Sequence, residues 1–278
     1  MSNETILVTG ATGKTGRRVV QQLKDQGVPV RAASRSSEVR FDWRDRATWE
    51  PVLRSVNAMY LVAPDLGSAQ AAEDIAAFAR QAAATGVRRA TLVSFPDTGT
   101  PGLEHAVAAE RSLAEAGLEG TVLRLRWFFQ NFSEDFLYDA VLSGDVRLPA
   151  GDGAEAFVDA EDVAAIAVAA LTGTGYAGQT YDLSGPQAMT FADAIAQIAL
   201  ATGREIRYTP LSPAEYTVEQ RAHGVPEEWV QLTVDLYAEI RSGVLPSVSC
   251  DVEKVLGRPP RTFANYARLA AAQGAWSA

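Results

Sequence analysis

Seven residues near the start of the chain constrain its fold more than any other feature: Gly10-Ala11-Thr12-Gly13-Lys14-Thr15-Gly16. They follow the β-rich run 5–9 (TILVT) and open an amphipathic segment, 14–26. That segment carries Val19, Val20 and Leu23 on its apolar face and stops at Gly27. Glycine removes the Cβ that would hold a pyrophosphate away from the backbone. A helix N-terminus then offers N–H groups and partial positive charge to its oxygens. A strand, a glycine loop and a helix in this order predict a dinucleotide-binding βα unit. The spacing is G-x-x-G-x-x-G rather than G-x-G-x-x-G, and Gly13-Lys14-Thr15 copies the end of a P-loop. A P-loop also needs glycine at position 8, which is Val8, and no strand closes on an Asp suited to hold Mg²⁺.

Strand-like and helix-like segments alternate through the first half, the mark of a parallel α/β sheet. Strands are expected at 28–34, 39–42, 58–63, 89–94 and 121–125, and helices at 45–55, 68–85 and 104–116. Pro51 should kink the first of these helices unless a new turn starts there. The rhythm then changes: a helix at 131–143, a strand at 145–148, a helix at 159–171 and a strand at 180–183. Long amphipathic helices are expected at 191–202, 213–223 and 227–242. The predicted fold is α/β: a Rossmann-type doubly wound parallel sheet with a smaller, mostly helical C-terminal lobe. Residues 1–130, with 155–185 returning, should form the dinucleotide-binding domain. Residues 186–278 should form the substrate lobe, closing over the C-terminal edge of the sheet.

Charge and cysteine content exclude several function classes. The net charge of −9, from 25 basic against 34 acidic residues, argues against nucleic acid as partner, because phosphate neutralisation needs a positive face. Cys250 is the only cysteine, so intrachain disulfides and cysteine-based zinc sites are excluded, and two distant histidines, His105 and His223, do not make a metal site. The longest purely apolar run, 163–171, is too short to cross a bilayer. No basic stretch precedes the first strand, so neither a secretory leader nor a membrane partner is expected and the location reads as cytoplasmic.

The end of the second strand chooses between dinucleotides. An NAD site places Asp or Glu there for the ribose 2′-OH. Here Arg31-Ala32-Ala33-Ser34-Arg35-Ser36-Ser37 brings no acid before Glu38. Arg35 can pair with a 2′-phosphate and Ser34 can donate to its oxygens, which points to NADPH/NADP⁺. Asp42 ends the third strand, where it can meet adenine's exocyclic amine or serve as a loop charge. The remaining strand-end candidates for cofactor contact are Ala63 and Ser94, beside Gly10, Thr12, Gly13, Lys14, Thr15 and Gly16 in the loop.

The order of motifs resembles the atypical short-chain dehydrogenase/reductases of the NmrA-like group. Thr9-Gly10-Ala11-Thr12-Gly13 comes first, then Leu123-Arg124, Trp127-Phe128 and Asn131-Phe132. Phe157-Val158-Asp159, Asp162-Val163-Ala164 and Leu183-Ser184-Gly185-Pro186 follow. Within the group the chain is most similar to the agroclavine (festuclavine) dehydrogenase type. RAASRSS at 31–37, Phe41-Asp42-Trp43, Thr48-Trp49-Glu50, the stretch 131–134 and GRPPRTF at 257–263 carry that likeness. Leu125 stands where the group has proline. The resemblance implies a Rossmann fold, a nicotinamide cofactor and reduction of a cyclic iminium.

Ordinary short-chain reductases protonate the nascent alkoxide with a tyrosine whose pKa is lowered by a lysine four residues on. No lysine lies between Lys24 and Lys254, so that pair is missing. Ser94 ends the fifth strand, where such enzymes keep a carbonyl-binding serine. His105 opens the next helix and can donate a proton near neutrality. Trp127 and Phe128, with Phe129 and Phe132, follow the sixth strand, where a nicotinamide ring would lie. Trp229 and Tyr237 stand eight apart on one face of a predicted helix and can help enclose a planar or cationic small-molecule substrate. These residues predict an NADPH-dependent reductase. A non-enzymatic NADP(H) sensor and an NADPH quinone reductase both remain open, because neither needs the Tyr–Lys pair.

Overall fold

A computed structural model describes residues 5–96, 103–243 and 248–277. Met1 to Glu4, on which the leader reading partly rests, lies outside them. The chain forms two compact units. The first comprises Met1–Leu125, Ala160–Leu183 and Asp251–Arg258; the second comprises Arg126–Asp159, Ser184–Cys250 and Pro259–Ala278.

In chain order the first unit opens with β1 (Thr5–Thr9), α1 (Gly16–Asp25), β2 (Val30–Ser34) and β3 (Val39–Arg40). Then come α2 (Trp49–Leu53), β4 (Val56–Leu61), α3 (Ala69–Ala84), β5 (Arg89–Ser94), α4 (Leu103–Glu115) and β6 (Glu119–Leu125). These strands and Gln179–Leu183 make one sheet in the order β3-β2-β1-β4-β5-β6, with Gln179–Leu183 on the far edge. Every pairing in it is parallel. This is the doubly wound arrangement, whose strand order reverses direction between β1 and β4.

Both faces of the sheet are covered, which is why its strands read as apolar runs. One face packs on α2, α3 and α4 around Phe41, Trp49 and Phe78, with Trp43 at its margin. Their ring centroids lie 5.0–6.2 Å apart, mostly edge to face, the geometry that aromatic quadrupoles favour. The other face packs on α1 and the helix Ala160–Thr172, joined by Arg18 Nε to Glu161 Oε1 at 2.8 Å. Asp251–Arg258, placed by sequence in the C-terminal lobe, belongs to this unit. Arg258 pairs with the buried Asp162 at 2.7 Å, and Asp251 Oδ2 accepts from the Asp182 amide at 3.0 Å.

Pro51 does not kink a helix. Residues 46–48 form a 3₁₀ turn and α2 starts afresh at Trp49, so Pro51 falls in its first turn, where the missing N–H has no helical partner to lose.

The second unit is built on an aromatic core of Phe129, Phe132, Phe157, Phe191, Phe263, Tyr266 and Trp276. Two small sheets support it: Asp145–Leu148 parallel to Arg207–Pro210, and Ala154–Glu155 antiparallel to Met189–Thr190. Capping boxes start two helices, Thr190/Asp193 before Phe191–Thr202 and Ser212/Glu215 before Pro213–Ala222. The helix expected at 131–143 is two short ones, Asn131–Glu134 and Tyr138–Ser143. Asp135 is extended between them, and Phe136 stands on the surface, 54% exposed.

Candidate functional site

The C-terminal ends of β1 to β5 share one edge of the sheet, and the cofactor candidates gather there. Thr9 anchors the first loop: its hydroxyl donates to the Tyr60 carbonyl and accepts from the Val62 amide, both at 3.1 Å. Gly10 turns the chain with φ +59°, a conformation that L side chains rarely adopt. The Ala11 amide then donates to the Ala33 carbonyl at 3.1 Å, tying the loop to β2. Gly13 folds its amide back onto the Gly10 carbonyl at 2.8 Å. At Gly16 a Cβ would stand 2.2 Å from that same oxygen, so only glycine lets the start of α1 approach the Gly10 turn so closely. Thr12 and Gly13 are exposed on the outer rim, Lys14 is half-buried, Thr15 is buried, and no side chain caps α1. Backbone amides at an uncapped helix start, with no Cβ in the way, fit a dinucleotide pyrophosphate.

At the end of β2, Ser34 turns inward. Its Oγ accepts from the amides of Ser36 and Ser37 at 3.3 and 3.0 Å and lies 2.5 Å from the Ser37 hydroxyl. This turn leaves Arg35 and Ser36 exposed at the sheet edge, where a 2′-phosphate would be met. Ser34 therefore shapes the turn, and Ser36 is the serine on its outer side. Asp42 Oδ1 accepts from the Arg44 amide at 3.0 Å, which is the loop-charge arrangement. Its carbonyl is held by the Trp49 indole at 3.1 Å, and the Trp43 indole donates to the Val62 carbonyl at 2.8 Å, beside Ala63. These bonds fix the ends of β3 and β4 to each other.

Ser94 is fully buried, and its hydroxyl donates to Glu110 Oε1 at 2.5 Å. Glu110, on α4, is gripped by Arg124 of β6 through Nε at 3.1 Å and Nη2 at 2.8 Å. Register puts Ser94 beside Arg124, so the trio ties β5, α4 and β6 at one point. A serine that donates to a carboxylate has its proton engaged, which leaves it acceptor capacity and no donor for a carbonyl oxygen. Sequence reasoning missed Glu110. The signal was there: Ala106, Ala109 and Leu113 define the buried stripe of α4, and position 110 falls within it.

His105 stands in the first turn of α4, about one-third exposed, with Nε2 4.0 Å from Glu104 Oε1.

The substrate candidates lie in the second unit. Trp127 is half-buried among Phe136, Phe191 and Tyr237, at centroid distances of 5.7, 5.9 and 5.3 Å. Phe128 is half-buried and bridges in parallel to Val158, while Phe129 and Phe132 are core. Trp229 and Tyr237 differ in environment: eight residues separate them by ~80° around a helix, and Trp229 is 55% exposed against 1% for Tyr237. A second feature the sequence did not reveal is the buried pair Arg126–Glu155, 2.6 Å apart. Burial raises the Glu155 carboxyl above its ordinary pKa, partly countered by Arg126.

Comparison with known proteins identifies the family and the fold. The family model described as NAD(P)H-binding matches residues 10–174. A (4-alkanoyl-5-oxo-2,5-dihydrofuran-3-yl)methyl phosphate reductase of Streptomyces griseus is 34% identical, the match covering 94% of this chain and 96% of that protein. Agroclavine dehydrogenase of Claviceps fusiformis is 28% identical over 94% and 96% of the two chains. Among solved structures, the triphenylmethane reductase of a Citrobacter species, crystallised with NADP(H), superposes with a TM-score of 0.78 at 23% identity. That match covers 96% of this chain and 99% of that one.

Proposed function

This chain belongs to the NAD(P)H-binding family, and on that premise we propose that it is an NADPH-dependent reductase of a small organic molecule whose reacting double bond is already activated, with a cyclic iminium as first candidate. It is an oxidoreductase-type chain of the atypical short-chain dehydrogenase/reductases, NmrA-like in fold. When bound, the nicotinamide supplies a hydride. The chain's own residues hold, orient and shield. Gly10, Gly13 and Gly16 let backbone amides reach the pyrophosphate. Arg35, with Ser36, meets a 2′-phosphate, and Trp127 and Phe128 offer flat apolar surface to the substrate.

The observation that carries this reading is the missing proton donor. No lysine exists between Lys24 and Lys254 to complete a Tyr–Lys pair, and the Ser94 hydroxyl is spent on Glu110. Hydride addition to a neutral ketone makes an alkoxide, which demands a proton. Hydride addition to an iminium cation makes a neutral amine and demands none in that step. Two relatives support electrophiles of this activated kind. Agroclavine dehydrogenase is named for an alkaloid, and the Streptomyces griseus reductase for an oxo-dihydrofuran, an unsaturated ring bearing an acyl group.

The test is a turnover screen. NADPH is incubated without oxygen with cyclic iminium salts, enones and quinones, and its oxidation is followed. The proposal expects saturable turnover, highest with iminium salts. Turnover with quinones alone would make the protein a quinone reductase. Tight NADP⁺ binding with a silent screen would make it a sensor.

A further inference from the structure

The second unit carries a line of rings that runs from solvent into its core. Phe136 is 54% exposed, Trp127 meets it edge to face at 5.7 Å, and Tyr237 lies behind Trp127 at 5.3 Å. Phe191 and Tyr216 close around Tyr237 at 5.6 and 6.2 Å. Three other polar ring atoms of this unit have partners. The Tyr208 hydroxyl donates to the Gly151 carbonyl at 3.0 Å, that of Tyr266 donates to Ser133 at 2.6 Å, and the Trp276 indole donates to the Phe132 carbonyl at 2.8 Å. Tyr237 is different. Its hydroxyl is fully buried and meets no hydrogen-bond partner among the described residues.

A phenylalanine would fill the same space without that unsatisfied group, so packing alone gives no reason for the oxygen. A donor kept at the inner end of an aromatic wall that reaches solvent has its use when a ligand arrives. We propose that Tyr237 is the hydrogen-bond donor of a ligand site walled by Trp127 and Phe136. Its ligand is a planar aromatic or conjugated molecule that carries an acceptor oxygen or ring nitrogen. Burial raises the phenol pKa well above its ordinary value, so the group remains a donor throughout the physiological range. The site itself needs no turnover to be detected.

The test is equilibrium dialysis with two ligands of one shape, 2-acetylnaphthalene and 2-ethylnaphthalene. Only the first carries an acceptor. Wild type should bind the ketone roughly five- to tenfold more tightly, the worth of one neutral hydrogen bond. Tyr237→Phe should bind the two equally, with an unchanged or higher Tm. Trp127→Leu should weaken both ligands alike. Equal binding by wild type, a preference that survives in Tyr237→Phe, or no binding of either compound would overturn the proposal. So would a marked fall in Tm for Tyr237→Phe, which would reveal an internal partner for the hydroxyl. None of these outcomes depends on NADPH oxidation, so failure of the reductase reading would register separately.

Discussion

Replacing Gly16 by alanine sets two effects of opposite sign against each other. Gly16 is the first residue of α1 and its φ is not positive, so alanine is conformationally acceptable and would favour the helix by ~1 kcal/mol. Against that, the added Cβ would lie 2.2 Å from the Gly10 carbonyl oxygen and 2.8 Å from its carbon, both backbone atoms that cannot swing aside. Relief requires the loop or the helix to move by about 0.8 Å, the shortfall from a 3.0 Å contact. Overpacking of this kind costs about 1–3 kcal/mol, so a net loss of about 0–2 kcal/mol is expected. For a chain of this size that lowers Tm by at most roughly 8 °C. The larger consequence is for the cofactor. Displacing the loop should cost at least one charge-assisted contact to the pyrophosphate, about 1.5–3 kcal/mol, or roughly ten- to hundredfold in NADPH affinity. Calorimetric titration of NADPH and a thermal melt read both numbers. Gly27→Ala is the control: its φ is +69° but a Cβ there meets only open space, so it should lose stability and keep full affinity. Wild-type NADPH affinity in Gly16→Ala would refute the argument that the helix start and the Gly10 turn meet too closely for a side chain.

Three further outcomes are expected. Arg35→Ala should lower NADPH affinity by roughly ten- to hundredfold and leave NADH affinity unchanged, read by paired titrations; an unaltered preference would remove Arg35 from the site. His105→Ala should cost less than about tenfold in kcat/KM with an iminium substrate, since general acid catalysis is worth roughly 10²–10⁴ where it operates. A thousandfold loss would make His105 the proton donor and carbonyl compounds the substrates. Hydrogen bonds from Arg207 and Thr209 hold the Asp145 carboxyl below its ordinary pKa of 3.8, so its stabilisation is present above that value and is lost as pH falls through the lower folded value. Asp145→Asn should therefore destabilise by less than about 1 kcal/mol at pH 7 and by a diminishing amount under strong acid, measured by denaturant melts at both ends. An equal loss at both ends would contradict the linkage.

The glycine loop was legible because its constraint is local: a positive φ at Gly10 and a backbone approach at Gly16 are written in the residues themselves. The end of the second strand was legible in the same way, as a stretch with Arg35 and no acid before Glu38. What stayed hidden depends on partners distant in sequence. Helical periodicity places Glu110 on the buried stripe of α4, but nothing in it names its partner Arg124, 14 residues away, and no periodicity announces Arg126 and Glu155, which meet across 29. Phe136 was hidden because 131–143 has a continuous helical pattern, which the extended Asp135 interrupts and thereby turns the ring outward. Trp229 and Tyr237 do not share the one helix face expected of them: a spacing of eight turns them about 80° apart, and one is exposed while the other is buried. The short strand Arg207–Pro210 was invisible for another reason: it forms against Asp145–Leu148, and its own sequence alternates weakly.

The central claim is that an electrophile carrying its own activation makes the missing Tyr–Lys pair harmless. The most direct measurement compares kcat/KM, at saturating NADPH, for N-methyl-3,4-dihydroisoquinolinium and for 1-tetralone, its ketone counterpart. The account predicts that the iminium is reduced at least about a hundredfold faster, the lower end of what general acid catalysis supplies to a carbonyl. Its rate should also be flat with pH wherever the iminium persists. Equal rates, or a faster ketone, would mean that the protein supplies a proton after all and would contradict the account.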